Sequence, residues 1–202
     1  MKALSAFGLA VWLLMQPVSA ESAAPGDRVR ETVDKLLTIL KDPQLDGESK
    51  RNERREKLKE VIYQRFDFTE MAKRSLGSEW RRRSPAEQKE FVKLFADLLE
   101  QAYLDKIESY NGEKVQYLRE REDNGHAEVA TKIIDKKGRE FSINYRLHNV
   151  NGDWKVYDVV IEDISLVNNY RAQFNRVLAK DSFEELLTRM KEKKFGAPAP
   201  KS

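Results

Sequence analysis

Few side chains in this sequence are equipped for chemistry. There are two histidines and no cysteine, so no thiolate nucleophile exists, and a metal would require more ligands at defined spacings than His126 and His148 provide. Both histidines fall where alternating segments meet turns, His126 after Gly125 and His148 before Asn149. The pair best placed for proton abstraction is Asp158 beside Tyr157. Its plainer reading is a strand carboxylate hydrogen-bonded to neighbouring backbone or to a helix N-terminus. The sequence therefore assigns no catalytic residue, no metal and no cofactor.

The segments that must position any site are clearly punctuated. Asp27 can cap a helix with Val29, Val33, Leu36, Leu37 and Leu40 inward, which Pro43 stops. A charged helix follows with only Leu58, Val61, Ile62 and Phe66 apolar at helical spacing. Asp67 and Glu70 then suggest a capping box for a short helix closed by Gly77. The strongest start is SPAEQ, with Ser84 as cap, Pro85 at the first helical position and Glu87 able to reach back. From Phe91 to Ile107 apolar residues recur at three- and four-residue steps until Asn111 and Gly112, a helix of about 38 Å. Such a helix needs an equally long apolar partner.

Four alternating segments supply it: KVQYLRERE, HAEVATKII, EFSINYRLH and WKVYDVVIE, separated by Asn124-Gly125, Lys137-Gly138 and Asn151-Gly152. In the third, Phe141, Ile143, Tyr145 and Leu147 share one face. This predicts an antiparallel meander covered on one side. Ser165 and a second capping box, Ser182 with Glu185, open the last helices. The expected class is α+β: a helical first half and C-terminal helices against one curved antiparallel sheet of about four strands.

The first twenty residues carry one charge at Lys2, an apolar run, Pro17 and then Val18, Ser19 and Ala20, the order of a secretory signal peptide. Cleavage after Ala20 is expected, leaving a single exported domain over 21–196, with helices within 27–111, sheet within 113–162, helices within 165–194 and a flexible tail over 197–202. No other segment approaches the ~20 apolar residues of a membrane span, so stable insertion is not expected. The 37 basic and 34 acidic side chains are interspersed, unlike the one-sided basic face of a nucleic-acid binder.

In FDFTEMAKRSLGSEW (66–80), SPAEQKEFVKLFADLLEQAYLDKIE (84–108) and WKVYDVVIEDISLVNNYRAQF (154–174) the chain resembles the MlaC family, also called toluene-tolerance auxiliary proteins. These are periplasmic phospholipid-carrying components that work with an ABC transporter in Gram-negative bacteria. The resemblance implies an NTF2-like sheet with a helical extension around an apolar cavity for acyl chains. It also implies a monomeric shuttle between an outer-membrane lipoprotein and porin assembly and an inner-membrane ABC transporter with its lipid-binding ring. On that basis the expected lining is Val129, Ile133, Phe141, Ile143, Tyr145, Val159 and Ile161 from the sheet, opposed by Phe68, Met71, Phe95, Leu99 and Tyr103. Ile164, Leu166, Tyr170 and Phe174 would close one wall.

Periodic stripes mark burial without distinguishing a cavity from a filled core. The same sequence therefore also accommodates an NTF2-like small-molecule enzyme, a binder of other apolar ligands, or an adaptor with a packed interior. Two basic clusters stand outside these stripes. Arg81, Arg82 and Arg83 precede the long helix and could meet headgroups or a docking partner. Arg51, Arg54, Arg55 and Lys57 could do the same or form a solvated face with Glu53, Glu56 and Glu60. Few polar groups converge on any plausible mouth, so headgroup selectivity should be weak.

Overall fold

A computed structural model describes residues 23–196; the expected leader over 1–20 and tail over 197–202 lie outside the described residues. The helical first half comprises α1 (Pro25–Leu40), α2 (Arg51–Arg65), α3 (Phe68–Leu76) and α4 (Pro85–Glu108). The strands β1 (Lys114–Asp123), β2 (His126–Ile134), β3 (Glu140–Val150) and β4 (Asp153–Ile161) follow, then a two-residue β5 (Ile164–Ser165). The helices α5 (Leu166–Leu178) and α6 (Phe183–Lys191) complete the described part. All strand pairs are antiparallel in the order β1-β2-β3-β4-β5. This is the expected α+β class, with one short edge strand more than the four-segment pattern predicts.

Local chemistry explains most boundaries. Around Ser84 the full capping box forms: the Glu87 N–H donates to Ser84 Oγ at 3.3 Å, and the Ser84 N–H donates to the Glu87 carboxylate at 2.7 Å. The other two expected boxes are half-formed. Asp67 accepts from the Glu70 N–H and Ser182 from the Glu185 N–H, but Glu70 turns to Lys73 and Arg74, and Glu185 to Arg189. An adjacent cation offers these carboxylates a charge-assisted bond that outcompetes the backbone amide. Nor does Asp27 cap α1. The cap is Ala24 with Pro25 at the first position, and Asp27 lies within the first turn, where its charge favours the helix dipole.

Two hairpins turn through Asn124-Gly125 and Asn151-Gly152, with positive φ at both central residues of each (49° and 72°, 54° and 87°). Asn and Gly tolerate this region, and the resulting turn matches strand twist. The strands themselves depart from plain alternation twice. Leu118 is skipped between Tyr117 opposite Thr131 and Arg119 opposite Ala130, and Tyr157 between Val156 opposite Leu147 and Asp158 opposite Arg146. Each extra residue changes which parity faces inward. Trp154 and Val156 therefore point into the core before the second bulge, while Val159 and Ile161 do so after it.

The driest packing is aromatic. The N-terminal half of α4 meets α5 and α6 through Phe91, Phe95, Tyr170, Phe174 and Phe183, with near-perpendicular ring contacts of 5.5 Å (Phe91–Phe174) and 5.6 Å (Phe95–Tyr170). Edge-to-face geometry adds to the gain from burying such large side chains. At the opposite end of α4, Arg54 and Arg55 of α2 grip Glu108, at 2.9 Å and 2.7 Å. Burial alone would raise the Glu108 carboxyl, but hydrogen bonds from Arg55 and Arg54 more than offset it and leave the group below its ordinary range. The second-helix arginines are thus interhelical clamps and not only a locally paired solvated face.

The β4–β5–α5 corner is locked by Asp158, which is 3% exposed. Its carboxylate accepts from Ser165 Oγ at 2.6 Å, Arg146 Nη1 at 3.1 Å and the Val167 N–H at 3.1 Å. Buried Arg65 ties α2 to β4, donating to the Trp154 carbonyl, to Asp153 at 2.9 Å and to Thr32 Oγ1 at 3.2 Å. Replacing Asp158 with Ala strands the buried α5 amide and leaves Arg146 only its longer pairing with Glu128 at 3.6 Å, at a cost of about 2 kcal/mol. Equilibrium urea unfolding measures this, and a loss below ~0.5 kcal/mol contradicts the assignment.

Asp153 generates a pH prediction. Burial opposes its ionised form, but Lys155 and Arg65 bring it down to about 2 from its ordinary 3.8. Its contribution is therefore complete above about pH 4 and disappears as pH falls toward 2. With the side chain 37% exposed, solvent screening reduces the effect to about 1 kcal/mol. Asp153→Asn should accordingly lower the urea midpoint at pH 6 and flatten the midpoint's decline between pH 4 and pH 2.5. An unchanged decline contradicts it.

Candidate functional site

Between its two fixed ends α4 stands off the sheet. A cavity of about 700 Å³ remains, enclosed by α1, α2, α3, the C-terminal half of α4 and the inner face of the sheet. Its floor is fully buried: Met71 at 1% exposure, Leu99 at 7%, Val159 at 7% and Leu166 at 5%. Ile133, Ile143, Tyr145 and Ile161 continue the sheet wall, and Phe68, Tyr103 and Ile164 the sides. Phe141 lies at the rim, 38% exposed.

Four of the residues expected in this lining are elsewhere. Phe95, Tyr170 and Phe174 belong to the aromatic cluster, and Val129 packs in the core with Ala127 and Leu147. The physical reason lies in α4. Phe91, Phe95, Leu99 and Tyr103 share one helical stripe, but its first half finds α5 and α6 while its second half finds open space. Periodicity is blind to that change of neighbour. Conversely, the wall formed by α1, with Val33, Leu36, Leu37 and Leu40, was not anticipated, nor were Ile62 of α2 and Tyr110. The α1 stripe was legible as inward-facing, and its incomplete burial is what marks it as a wall.

The charged side chains that could have made a catalytic site do other work. Asp158 is not part of the cavity wall and is saturated by its three donors. Tyr157 stacks under the Arg74 guanidinium at 4.1 Å and meets His126 and His148 edge-on. His148 Nε2 lies 3.0 Å from the Asp67 carboxylate, the cap of α3. Among the described residues no group of three or more acids and histidines is arranged to hold a metal.

Arg81, Arg82 and Arg83 do not reach the cavity either. They precede α4, at the end away from the opening; Arg82 and Arg83 pair with Glu79, and Arg83 covers the Phe183 ring. A role at a headgroup is therefore not served by their position.

Inside the cavity the phenol of Tyr103 is buried without a hydrogen-bond partner. Burial pushes its pKa well above the ordinary value, and that of Tyr145 likewise. Both phenols therefore stay protonated at neutral pH, and apart from the Arg65 guanidinium and the charged groups at its edges the lining is mostly hydrocarbon. Polar lining residues gather at the opening, where the last turn of α4 (Lys106, Ser109) meets Glu113 and the β2–β3 turn (Asp135, Arg139). A second charged stretch, Lys59 with Glu100, runs along the seam of α2 and α4. The arrangement can shelter an elongated apolar body with a polar end left at the rim.

Comparison with known proteins agrees with this geometry. The chain is 26% identical over 191 residues to the intermembrane phospholipid transport system binding protein MlaC of Haemophilus influenzae, covering 92% of this chain and 89% of that one. It is 28% identical over 170 residues to the toluene tolerance protein ttg2D of Pseudomonas putida, covering 83% and 79%. Among solved structures, the phospholipid-binding protein from Ralstonia solanacearum, determined in complex with a phospholipid, superposes with a TM-score of 0.74 at 26% identity. That alignment covers 85% of this chain and 97% of the other. The model of the MlaC protein family matches residues 30–192, and on this evidence the chain belongs to the MlaC family.

Proposed function

We propose that this protein is a soluble periplasmic phospholipid carrier that holds acyl chains in the apolar cavity and moves lipid between outer-membrane and inner-membrane complexes. The observation that carries the reading is the cavity itself, open to solvent, walled mostly by hydrocarbon and found in a chain of this family. The lipid bound to the Ralstonia solanacearum relative supports the choice of ligand.

The energetics favour such a function. Exposing two acyl tails of ~30 methylenes to water costs on the order of 24 kcal/mol, so bare lipid does not cross an aqueous gap at a useful rate. A carrier needs only an interior about as apolar as the bilayer, so that uptake and release are nearly neutral. Tight, specific contacts would hinder release. The lining suits that requirement: Phe68, Met71, Leu99, Tyr103, Ile133, Phe141, Ile143, Tyr145, Val159, Ile161, Ile164 and Leu166 all border the cavity, which supports a role in holding acyl chains. We assign the binding of acyl chains to these and to the α1 wall.

An occupant is also a stability requirement. A sealed, dry void of this size would cost on the order of 17 kcal/mol at ~24 cal/mol per Å³, more than the whole stability of most domains. The open cavity therefore exists filled by lipid or by water. The first consequence is compositional: protein exported by a Gram-negative host and purified without detergent should release phospholipid on organic extraction, identified by mass spectrometry, and consistent absence of lipid contradicts the proposal.

The second prediction separates cavity from core. Ile143→Asp places a charge on the cavity wall and should expel the lipid while circular dichroism stays native. Leu147→Asp, at a fully buried position outside the wall, should unfold the domain, with a loss above ~4 kcal/mol. Equal unfolding by both variants would mean that the sheet face is filled core, as in an adaptor. Membrane partners are part of the same reading: an outer-membrane lipoprotein and porin complex for one end of the journey and an ABC transporter with its lipid-binding ring for the other. Arg81 and Arg82, exposed and remote from the cavity, are available for that docking.

A further inference from the structure

Many cations among the described residues are matched to carboxylates, as Arg54 and Arg55 are to Glu108, Lys59 to Glu56 and Glu100, and Arg139 to Asp135. The opening of the cavity is different. Lys41, just after α1, holds its ammonium 5.6 Å from the centroid of the Tyr110 ring. Lys106, on the last turn of α4, holds its own 5.1 Å from the Tyr103 ring. Lys136, in the β2–β3 turn, donates to Asn111 Oδ1 at 2.9 Å. Tyr103, Lys106 and Tyr110 line the cavity, and Asn111 follows directly. Three ammonium groups from three separate elements thus surround the end of α4, and among the described residues none is ion-paired.

The acids in this neighbourhood are already engaged. Asp135 accepts from the Arg139 side chain at 2.7 Å and from the backbone of Lys137 and Arg139. Burial alone would raise its pKa, but these bonds leave it below the ordinary range. Glu113 accepts the Asn111 N–H at 2.6 Å, and Asp42 the Gln44 N–H at 2.8 Å. Unpaired lysines are common on surfaces and mean little singly. Here they cluster at the opening of a hydrocarbon-lined hollow, where the polar end of an occupant must lie. A lysine is a point charge on a flexible stem, suited to an anion whose position varies with the depth of the tails.

We propose that Lys41, Lys106 and Lys136 form a subsite for the phosphate group of the bound lipid. The proposal rests on the carrier reading and adds to it a headgroup contact where the sequence suggested weak selectivity. Ammonium–phosphate bonds are charge-assisted, so each should strengthen retention and each should weaken with salt.

The test uses lipids presented as monomers, so that no membrane surface is present. Dihexanoyl phosphatidylglycerol and dihexanoylglycerol carry the same tails, with and without phosphate. Binding of each is measured by titration calorimetry to lipid-stripped wild-type protein and to the triple variant Lys41→Gln, Lys106→Gln, Lys136→Gln, whose fold is checked by circular dichroism. The expected result is a loss of about five-fold or more in affinity for the phospholipid, the factor corresponding to ~1 kcal/mol, with dihexanoylglycerol binding unchanged. An equal loss for both lipids, or for neither, overturns the subsite. Binding to phosphatidylglycerol vesicles is measured separately, and a loss confined to the vesicles assigns the lysines to a membrane surface and also overturns the subsite. If wild-type protein binds neither monomer, the carrier reading itself fails, a result distinct from all of these.

Discussion

The helix α4 is held at both ends by interactions of different kinds, and the hollow between them follows from that. Its N-terminal half is fixed by stacked and edge-on rings from α5 and α6, a dry contact that tolerates little displacement. Its C-terminal end is gripped by the Arg54 and Arg55 guanidinium groups on Glu108. With both ends anchored, Leu99, Tyr103 and Ile107 span a gap above the sheet that they cannot close by collapse. The α1 helix and the strand face complete an enclosure whose walls are apolar and whose ends are rigid.

The corner between sheet and α5 depends on the same separation of roles. Asp158 uses one carboxylate to satisfy a strand arginine, the Ser165 hydroxyl and an amide at the start of α5. A buried charge with three donors is well compensated, where an unpaired one would be costly. This lets Ile164 and Leu166 form a wall while Tyr170 and Phe174, further along the same helix, enter the dry cluster. The site thus borrows its stability from groups that never face it, and its own walls are free to be featureless. Featureless walls suit a carrier whose cargo must leave as readily as it enters.

Much of this was readable from residue order alone. Caps at Ser84, Asp67 and Ser182, the Asn-Gly turns and the alternating strands are local effects, and they fixed element type and sequence. What failed were the features decided across space. The bulges at Leu118 and Tyr157 alter facing without any local mark. Phe95 and Leu99 lie one turn apart on one stripe, yet one is core and the other wall, since different elements oppose them. The arginines of α2 looked solvated because their partners lie 50 or more residues away on α4. A cavity is an absence of neighbours, and a linear pattern records only which residues avoid water.

On the proposed carrier function, hydrocarbon tails lie against Ile143, Ile161 and Leu99 and nowhere in the aromatic cluster. A phospholipid carrying a nitroxide near the end of one acyl chain, loaded into protein with methyl-labelled isoleucine and leucine, tests this directly by paramagnetic broadening. Broadening strongest at Ile143, Ile161 and Leu99, and falling off toward Leu186 and other contacts of the aromatic cluster, is the predicted result. Sharp signals at all three wall residues in lipid-loaded protein would contradict the claim.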